Sequence, residues 1–125
     1  MDRFAKGRGA EDIAARHLEA DGFRILWRNV RIGALEVDLV AKKDDLVVIV
    51  EVRARGPGSF VTPLASITRD KRRLLVRASR GIWRGRLKKM PDVMRVRIDV
   101  IAVADDAEGN TSVEWIKGAI TEQDG

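Results

Sequence analysis

The chain has 125 residues, of which 45% are hydrophobic and 34% charged, and its formal net charge is +5. This size and balance predict one globular domain, and the excess of basic residues favours an anionic partner. The absence of cysteine excludes disulfides, thiolate zinc sites and cysteine nucleophiles. No stretch has the apolar length of a signal peptide or a membrane span, so we expect a cytoplasmic protein with no membrane partner.

The first half of the chain predicts a helix and then three strands. Apolar residues recur at helical spacing over residues 9–21, and Gly22 is placed to end the helix. Residues 23–30 alternate in part between apolar and polar, as a half-buried strand does. Residues 35–41 and 46–52 are rich in strand-forming residues and are separated by a short polar loop, which predicts an antiparallel hairpin.

The second half predicts a basic amphipathic helix and two more strands. Apolar residues recur at helical spacing over residues 68–82, residues 94–103 form the next strand and residues 111–116 a short last one. The elements together predict an α/β fold, a mixed β-sheet flanked by helices in the order αβββαβ, with a small β addition. We expect a single domain over residues 1–125, with a flexible acidic tail from about residue 118.

Acidic side chains interrupt the predicted hairpin, where buried strands should be apolar. Side chains alternate along a strand, so Glu36 and Asp38 share one face of the first hairpin strand. If Ala41 pairs with Leu46, Glu36 stands opposite Glu51 and Asp38 is its diagonal neighbour. Like charges opposed on a sheet repel, and burial increases the penalty.

A bound cation is one explanation for this crowding. Arg53 alone cannot neutralise three carboxylates, whereas Mg²⁺ binds one or two carboxylates together with waters and phosphate oxygens. Glu11, near the start of the first helix, could be aimed at the same place. The alternative is a set of ordinary ion pairs at a sheet edge. The arginines available for such pairs are Arg53, Arg55, Arg95 and Arg97.

Positive charge is concentrated in residues 69–89, which contain ten basic residues and one acidic residue. Such a helix predicts phosphate contacts, which give affinity without sequence choice, although a merely solvated helix face has the same composition. The three tryptophans could stack on bases, but their wide spacing favours core and interface positions.

Two further features favour structural roles. His17, the only histidine, falls on the apolar stripe of the first helix, where core or boundary residues are commoner than ligands. The "GRG" at residues 7–9 lacks the spacing of a phosphate loop, so we expect no nucleotide cofactor.

Six stretches of the chain together resemble a known family. They are "GRGAEDIAARHLEADGFRILWRN", "LEVDLVA", "VIVEVRAR", "ITRDKRRLLVRAS", "VRIDVIAV" and "VEWIKGAI". In this order, and over nearly the whole chain, they resemble the UPF0102 or YraN-like family of small bacterial proteins. That family is similar to archaeal Holliday junction resolvases and to the restriction-endonuclease-like PD-(D/E)XK superfamily. The resemblance implies a restriction-endonuclease-like core and metal-dependent hydrolysis of phosphodiester bonds in DNA.

The resemblance also implies a metal site. It makes Asp38 the central ligand and Glu51 the second, with the carbonyl of Val52 beside them and Mg²⁺ or Mn²⁺ as the cofactor. Arg53 takes the place of the signature lysine. Arginine stays charged, so it can stabilise developing charge or hold a phosphate but cannot release a proton.

The other candidate residues follow from the same comparison. Glu11 matches the glutamate of the family's first helix, and Glu36 matches the acid of a GEIDLVA-like stretch in which Leu35 here replaces glycine. Lys71 matches a lysine of the helix after the loop, and Arg97 and Asp99 match an RFDVV-like strand. The expected nucleic-acid contacts are Arg55, Arg69, Lys71, Arg72, Arg73, Arg77 and Arg80.

Two functions remain open from the sequence. The first is a metal-dependent endonuclease, with branched or recombining DNA as one candidate substrate. The second is a nuclease-like fold that binds nucleic acid but has lost catalysis, as Arg53 would suggest. A homodimer is expected by analogy with resolvase-like proteins, which span two strands.

Overall fold

The computed structural model describes residues 3–58 and 61–125, with side chains described from residue 9 of the first helix onward. The order of elements is the predicted one, with β5 as the added strand. The described residues form two long helices and five strands: α1 (Arg3–Ala20), β1 (Arg24–Ile32), β2 (Leu35–Lys43), β3 (Leu46–Arg55), α2 (Arg69–Gly85), β4 (Arg95–Asp105) and β5 (Thr111–Ile120).

The strands form one sheet in the order β1-β2-β3-β4-β5. The pairs β1–β2, β2–β3 and β4–β5 are antiparallel, whereas β3 and β4 run parallel. A parallel pair needs a crossover connection, and α2 lies in it. The predicted α/β class with a mixed sheet flanked by helices is therefore confirmed, and it is consistent with a restriction-endonuclease-like core.

Each face of the sheet is covered by one long helix. The α1 face buries residues of the helix and of three strands, including Ala14, Leu18, Leu39, Val48 and Ile101. The α2 face buries a second set, including Leu75, Ile82, Val47, Ile49 and Val100. Because β3 is covered on both sides, residues 46–51 are all buried, which explains their continuous apolar run up to Glu51.

The hairpin between β2 and β3 corrects the predicted register. Lys43, and not Ala41, pairs with Leu46, so the connection is a two-residue turn. Asp44 in this turn has a φ of 54°, a left-handed conformation that aspartate tolerates better than most residues. The tighter turn shifts the pairing by two residues. Asp38 and Glu51 lie next to the end pair Leu39 and Val50, so Asp38 takes the place opposite Glu51 that the sequence predicts for Glu36.

The helices also differ from the predicted bounds. α1 begins at Arg3, earlier than residue 9, and α2 continues to Gly85. Thr68 caps α2, since its hydroxyl accepts a hydrogen bond from the Lys71 backbone N–H at 3.1 Å. Within the described residues, neither long helix has an apolar stretch of the length required to cross a membrane.

The end of the chain has defined contacts. β5 extends to Ile120, and a short turn over Glu122–Asp124 follows it. In that turn Glu122 pairs with Arg80 of α2, and Asp124 lies 3.8 Å from the Arg72 guanidinium. The expected start of the acidic tail, near residue 118, thus falls within β5, while its flexibility stays a prediction.

Candidate functional site

The candidate site lies where β2 and β3 separate. Their described pairing ends at Leu39 and Val50, and the next residues along the two strands are Asp38 and Glu51. Oδ2 of Asp38 accepts a hydrogen bond from the Val52 backbone N–H at 2.8 Å. A carboxylate therefore binds the amide of β3 just beyond the last strand pair, which holds Asp38 beside Glu51.

Glu51 is buried, with 3% of its surface exposed, and two cations lie against one of its oxygens. Arg53 Nε is 3.3 Å and Lys71 Nζ 3.6 Å from Oε2. The buried Arg53 Nε has no aligned hydrogen-bond partner among the described residues, so its contact with Glu51 is an ion pair only. Among the residues that the structure describes, no arginine pairs with Asp38, and the charge of Lys71 acts on Asp38 as well as on Glu51.

The electrostatics of the pair oppose ionisation of both acids. Burial raises the pKa of Asp38 above its ordinary value, against the lowering effects of the Val52 hydrogen bond and of Lys71. Burial raises the pKa of Glu51 as well, and the charge of Asp38 raises it further. Two neighbouring carboxylates with raised pKa values are a pair that a bound cation would stabilise.

Two further acids approach the pair from α1 and from the start of β2. Burial raises the pKa of Glu11, and the charges of Asp38 and Glu36 add to the effect. Glu36 itself is exposed and pairs with Arg31 of β1 in the sheet. The register thus moves Glu36 away from its predicted position opposite Glu51, to the rim of the site.

Asn29 links these two rim acids, and the sequence interpretation missed it. With its amide nitrogen facing the carboxylates, it donates to Glu11 Oε1 at 3.0 Å and to Glu36 Oε1 at 3.1 Å. Its φ is 54°, a left-handed conformation that asparagine adopts more readily than most residues. The sequence feature that could have identified Asn29 is the presence of an asparagine inside a predicted strand.

The predicted nucleic-acid residues fall into separate environments. Lys71 belongs to the candidate site. Arg72 is held by the protein itself: its guanidinium donates to the carbonyls of Leu64 and Ile67 and so secures the loop before α2. Arg55 is half-buried at the end of β3. The predicted DNA contacts of all seven residues stay predictions.

The remaining four predicted residues lie exposed on α2. Arg73 is 3.8 Å from Asp70, and Arg80 pairs with Glu122. Arg69 and Arg77 form no ion pair with any residue that the structure describes. The helix therefore offers exposed guanidinium groups along its length.

Asp99 is a second buried carboxylate, but its acceptors are filled. Arg97 donates to it through Nε and Nη2, each at 2.8 Å, the Trp115 indole at 2.8 Å and the Gly118 N–H at 2.9 Å. Asp99 therefore ties β4 to β5, and we assign it a structural role.

The donor set at Asp38 and Glu51 suits a hard cation that keeps several waters. In the described part of the chain, no three acidic or histidine side chains stand close enough to form a complete ligand cluster. Mg²⁺ does not need one, because it commonly binds one or two carboxylates and takes its other ligands from water and phosphate. The Val52 N–H binds Oδ2 of Asp38. Arg53 and Lys71 both form their ion pairs with Oε2 of Glu51.

Comparison with known proteins identifies relatives over most of the chain. Residues 10–103 match the model of the "Uncharacterised protein family UPF0102". A UPF0102 protein of Sorangium cellulosum is 42% identical over 94% of this chain and 81% of its own length. One from Dechloromonas aromatica is 42% identical over 96% of this chain and 92% of its own length. One from Thermus thermophilus is 41% identical over 78% of this chain and 82% of its own length.

A solved structure, described as that of Pyrococcus furiosus SfsA in complex with Ca²⁺, is a more distant match. It has a TM-score of 0.45 and 15% identity, and the match covers 96% of this chain and 65% of that one. A similarity of this size supports no conclusion about function. The sequence relatives do settle the family: the chain belongs to UPF0102.

Proposed function

We propose that this protein is a metal-dependent endonuclease that hydrolyses phosphodiester bonds in DNA. The observation that carries the proposal is the pair Asp38 and Glu51, two adjacent acids with raised pKa values beside the cations Lys71 and Arg53. Perturbed acids next to fixed cations are typical of sites that act on charged substrates. The sequence resemblance to PD-(D/E)XK nucleases assigns the same acids.

Asp38, Glu51 and the carbonyl of Val52 are the proposed ligands of Mg²⁺ or Mn²⁺. When bound, the cation supplies Lewis acidity and offsets the negative charge of both carboxylates and of a phosphodiester. Glu11 and Glu36 remain at the rim, joined by Asn29, where they orient water around the site.

Lys71 supplies the primary amine that β3 lacks. Arg53 occupies the position of the signature lysine, and arginine is not equivalent to lysine at such a place. Lys71 comes from the first turn of α2 and lies against the same oxygen of Glu51 as Arg53 does. In the proposed mechanism its N–H groups orient the attacking water, and Arg53 stabilises the charge that develops on the phosphate.

The basic face of α2 is the proposed DNA-binding surface. Phosphate contacts from its arginines would position the substrate without selecting a sequence, and binding would weaken strongly as salt rises. Branched or recombining DNA is the proposed substrate class. A homodimer that spans two strands is part of the same proposal, by analogy with resolvases.

A catalytically inactive DNA-binding protein is the second candidate. The observation in its favour is Arg53, which cannot take over any proton-transfer role of a lysine. In this case Lys71 would only neutralise Glu51.

A cleavage assay separates the two functions. Purified wild-type protein is incubated with branched and linear DNA and Mg²⁺ or Mn²⁺, beside Glu51→Gln and the matched control Glu114→Gln, which changes an exposed acid on β5. We expect cleavage by wild type and control and none by Glu51→Gln. Equal cleavage by all three would indicate a contaminating nuclease, and DNA binding without cleavage would favour the inactive protein.

A further inference from the structure

An apolar groove lies on the α2 face of the sheet, away from the acidic pair. It has a volume of about 620 Å³ and is bounded by the second half of α2, the start of β4 and the end of β5. Its apolar walls include Val76, Trp83, Met94, Ile98 and Ile120. Trp83 is 37% exposed and Met94 70%, so two large apolar side chains face solvent here. An indole exposed in this way can stack on a planar ligand.

The groove is also lined by arginines. Arg80, Arg84 and Arg97 line it together with the apolar residues. Arg97 is fixed in place because Asp99 holds its guanidinium through two hydrogen bonds. Arg80 pairs with Glu122, but both side chains are largely exposed, so this ion pair can exchange for another anion at little cost. The Arg97 charge is already compensated by Asp99, so the groove combines an aromatic face with the guanidinium groups of Arg80 and Arg84.

A row of arginines connects the groove to the candidate site. At 3.6 residues per turn, five exposed arginines fall on one stripe of α2. They are Arg69, Arg73, Arg77, Arg80 and Arg84. Lys71 faces the sheet, where it contacts Glu51. A DNA strand leaving the candidate site would therefore cross the first turn of α2 to reach this stripe. From Lys71 to Trp83 the helix rises about 18 Å, or roughly five base-pair steps of a duplex.

We propose that this groove binds unpaired nucleotides of a DNA substrate, with a base stacked on Trp83 and the flanking phosphates held by Arg80 and Arg84. Base stacking on an aromatic side chain beside basic residues is how sequence-independent single-strand binding works, and arginine adds cation–π attraction. The inference rests on the proposed function, because it takes DNA as the substrate. It narrows that substrate to DNA in which a strand is unpaired about five steps from the scissile phosphate.

The test measures binding of a fluorescent oligothymidylate and of a blunt duplex by anisotropy, without metal. Wild type is compared with Trp83→Ala, with the conservative Trp83→Phe and with Val61→Ala, which shortens an exposed apolar residue outside the groove. We expect Trp83→Ala to weaken oligothymidylate binding about tenfold or more, Trp83→Phe to retain most of it and Val61→Ala to change nothing. Duplex binding should change much less, because paired bases cannot stack on the indole.

Two charge variants keep the test decisive should Trp83→Ala fail to fold. Arg84→Glu reverses an exposed charge in the groove and should weaken oligothymidylate binding. Glu122→Gln releases Arg80 from its acidic partner and should strengthen it by about twofold to threefold. If neither charge variant changes single-strand affinity, the proposal is overturned.

The remaining outcomes separate failure of the groove proposal from failure of the proposed nuclease. Unchanged single-strand affinity in a folded Trp83→Ala variant removes the nucleotide site. If that variant instead converts a dimer into a monomer in light scattering, the groove is an interface between two copies. Loss of single-strand binding in Trp83→Ala, together with no cleavage by wild type, would keep the groove and refute the nuclease. Cleavage with unchanged single-strand affinity would keep the nuclease and refute the groove.

Discussion

Glu51 and Asp99 are buried carboxylates on neighbouring parallel strands, and their surroundings differ in kind. Val50 pairs with Asp99 and Glu51 with Val100, so the two acids point to opposite faces of the sheet. Asp99 receives hydrogen bonds from Arg97, Trp115 and Gly118. Glu51 instead faces a second carboxylate, and its cations form ion pairs on one oxygen.

The comparison shows that burial alone does not mark a functional acid. A buried carboxylate whose oxygens all accept hydrogen bonds can be part of a stable fold, whereas an uncompensated buried charge destabilises it. A buried carboxylate beside another one costs stability, and it is retained where a ligand can use it. Four substitutions test this distinction, in order of decreasing expected effect.

Asp99→Ala should be the most damaging to the fold. It removes the acceptor of four donated hydrogen bonds and leaves the half-buried Arg97 guanidinium without its partner. Breaking such a pair typically costs about 3 to 5 kcal/mol of the free energy of unfolding. Urea unfolding would measure the loss. A loss of no more than about 0.5 kcal/mol, the usual range for surface substitutions, would mean that Asp99 is not a structural acid.

Lys71→Ala should reduce cleavage about 100-fold while the protein stays folded, because the only amine against Glu51 among the described residues is removed. Lys71→Arg should restore little, since the guanidinium of Arg53 already lies there. The control is Arg69→Ala, on the same turn of α2 and exposed. Single-turnover cleavage rates would be compared at saturating DNA. If the cleavage rate fell equally in Lys71→Ala and Arg69→Ala, Lys71 would act only as another phosphate contact.

Asp38→Asn should raise stability at neutral pH, in contrast to Asp99→Ala. Burial in the folded protein raises the pKa of Asp38 above its ordinary value of 3.8, so ionisation opposes folding. The wild-type stability contribution is present below that value and is lost as pH rises through the folded pKa. The advantage of the variant should therefore appear above pH 4 and vanish below it. Thermal unfolding from pH 3 to pH 8 measures this, and an advantage that grows as pH falls would contradict it.

The same pair of proteins tests the metal. Mg²⁺ or Mn²⁺ should raise the melting temperature of wild type, since a ligand that binds only the folded state stabilises it. The increase should be absent in Asp38→Asn. An equal increase in both proteins would place the ion elsewhere.

Glu36→Gln should have the smallest effect, less than about fivefold on cleavage. The two-residue turn moves Glu36 to the exposed rim and gives Asp38 the position opposite Glu51. The comparison with Asp38→Asn in one cleavage assay therefore tests the register directly. Equal loss of cleavage in both variants would support the register with Glu36 opposite Glu51.

The sequence determined much of the fold because local patterns carry that information. The apolar run of β3, the basic amphipathic α2 and the order of elements follow from burial and periodicity within each segment. Glu36, Asp38 and Glu51 were identifiable as site candidates for the same reason, since acids in apolar strands conflict with their surroundings. The choice of Asp38 and Glu51 as the metal ligands came from the family resemblance.

Only the tertiary structure decided how the segments meet. The conformation of Asp44 set the hairpin register, and with it which acid faces Glu51. The packing of α2 on the sheet brought Lys71 to Glu51, turned Arg72 toward the loop carbonyls and left the groove at Trp83 open. These features depend on contacts between residues distant in sequence, and neither spacing nor composition within one segment specifies them.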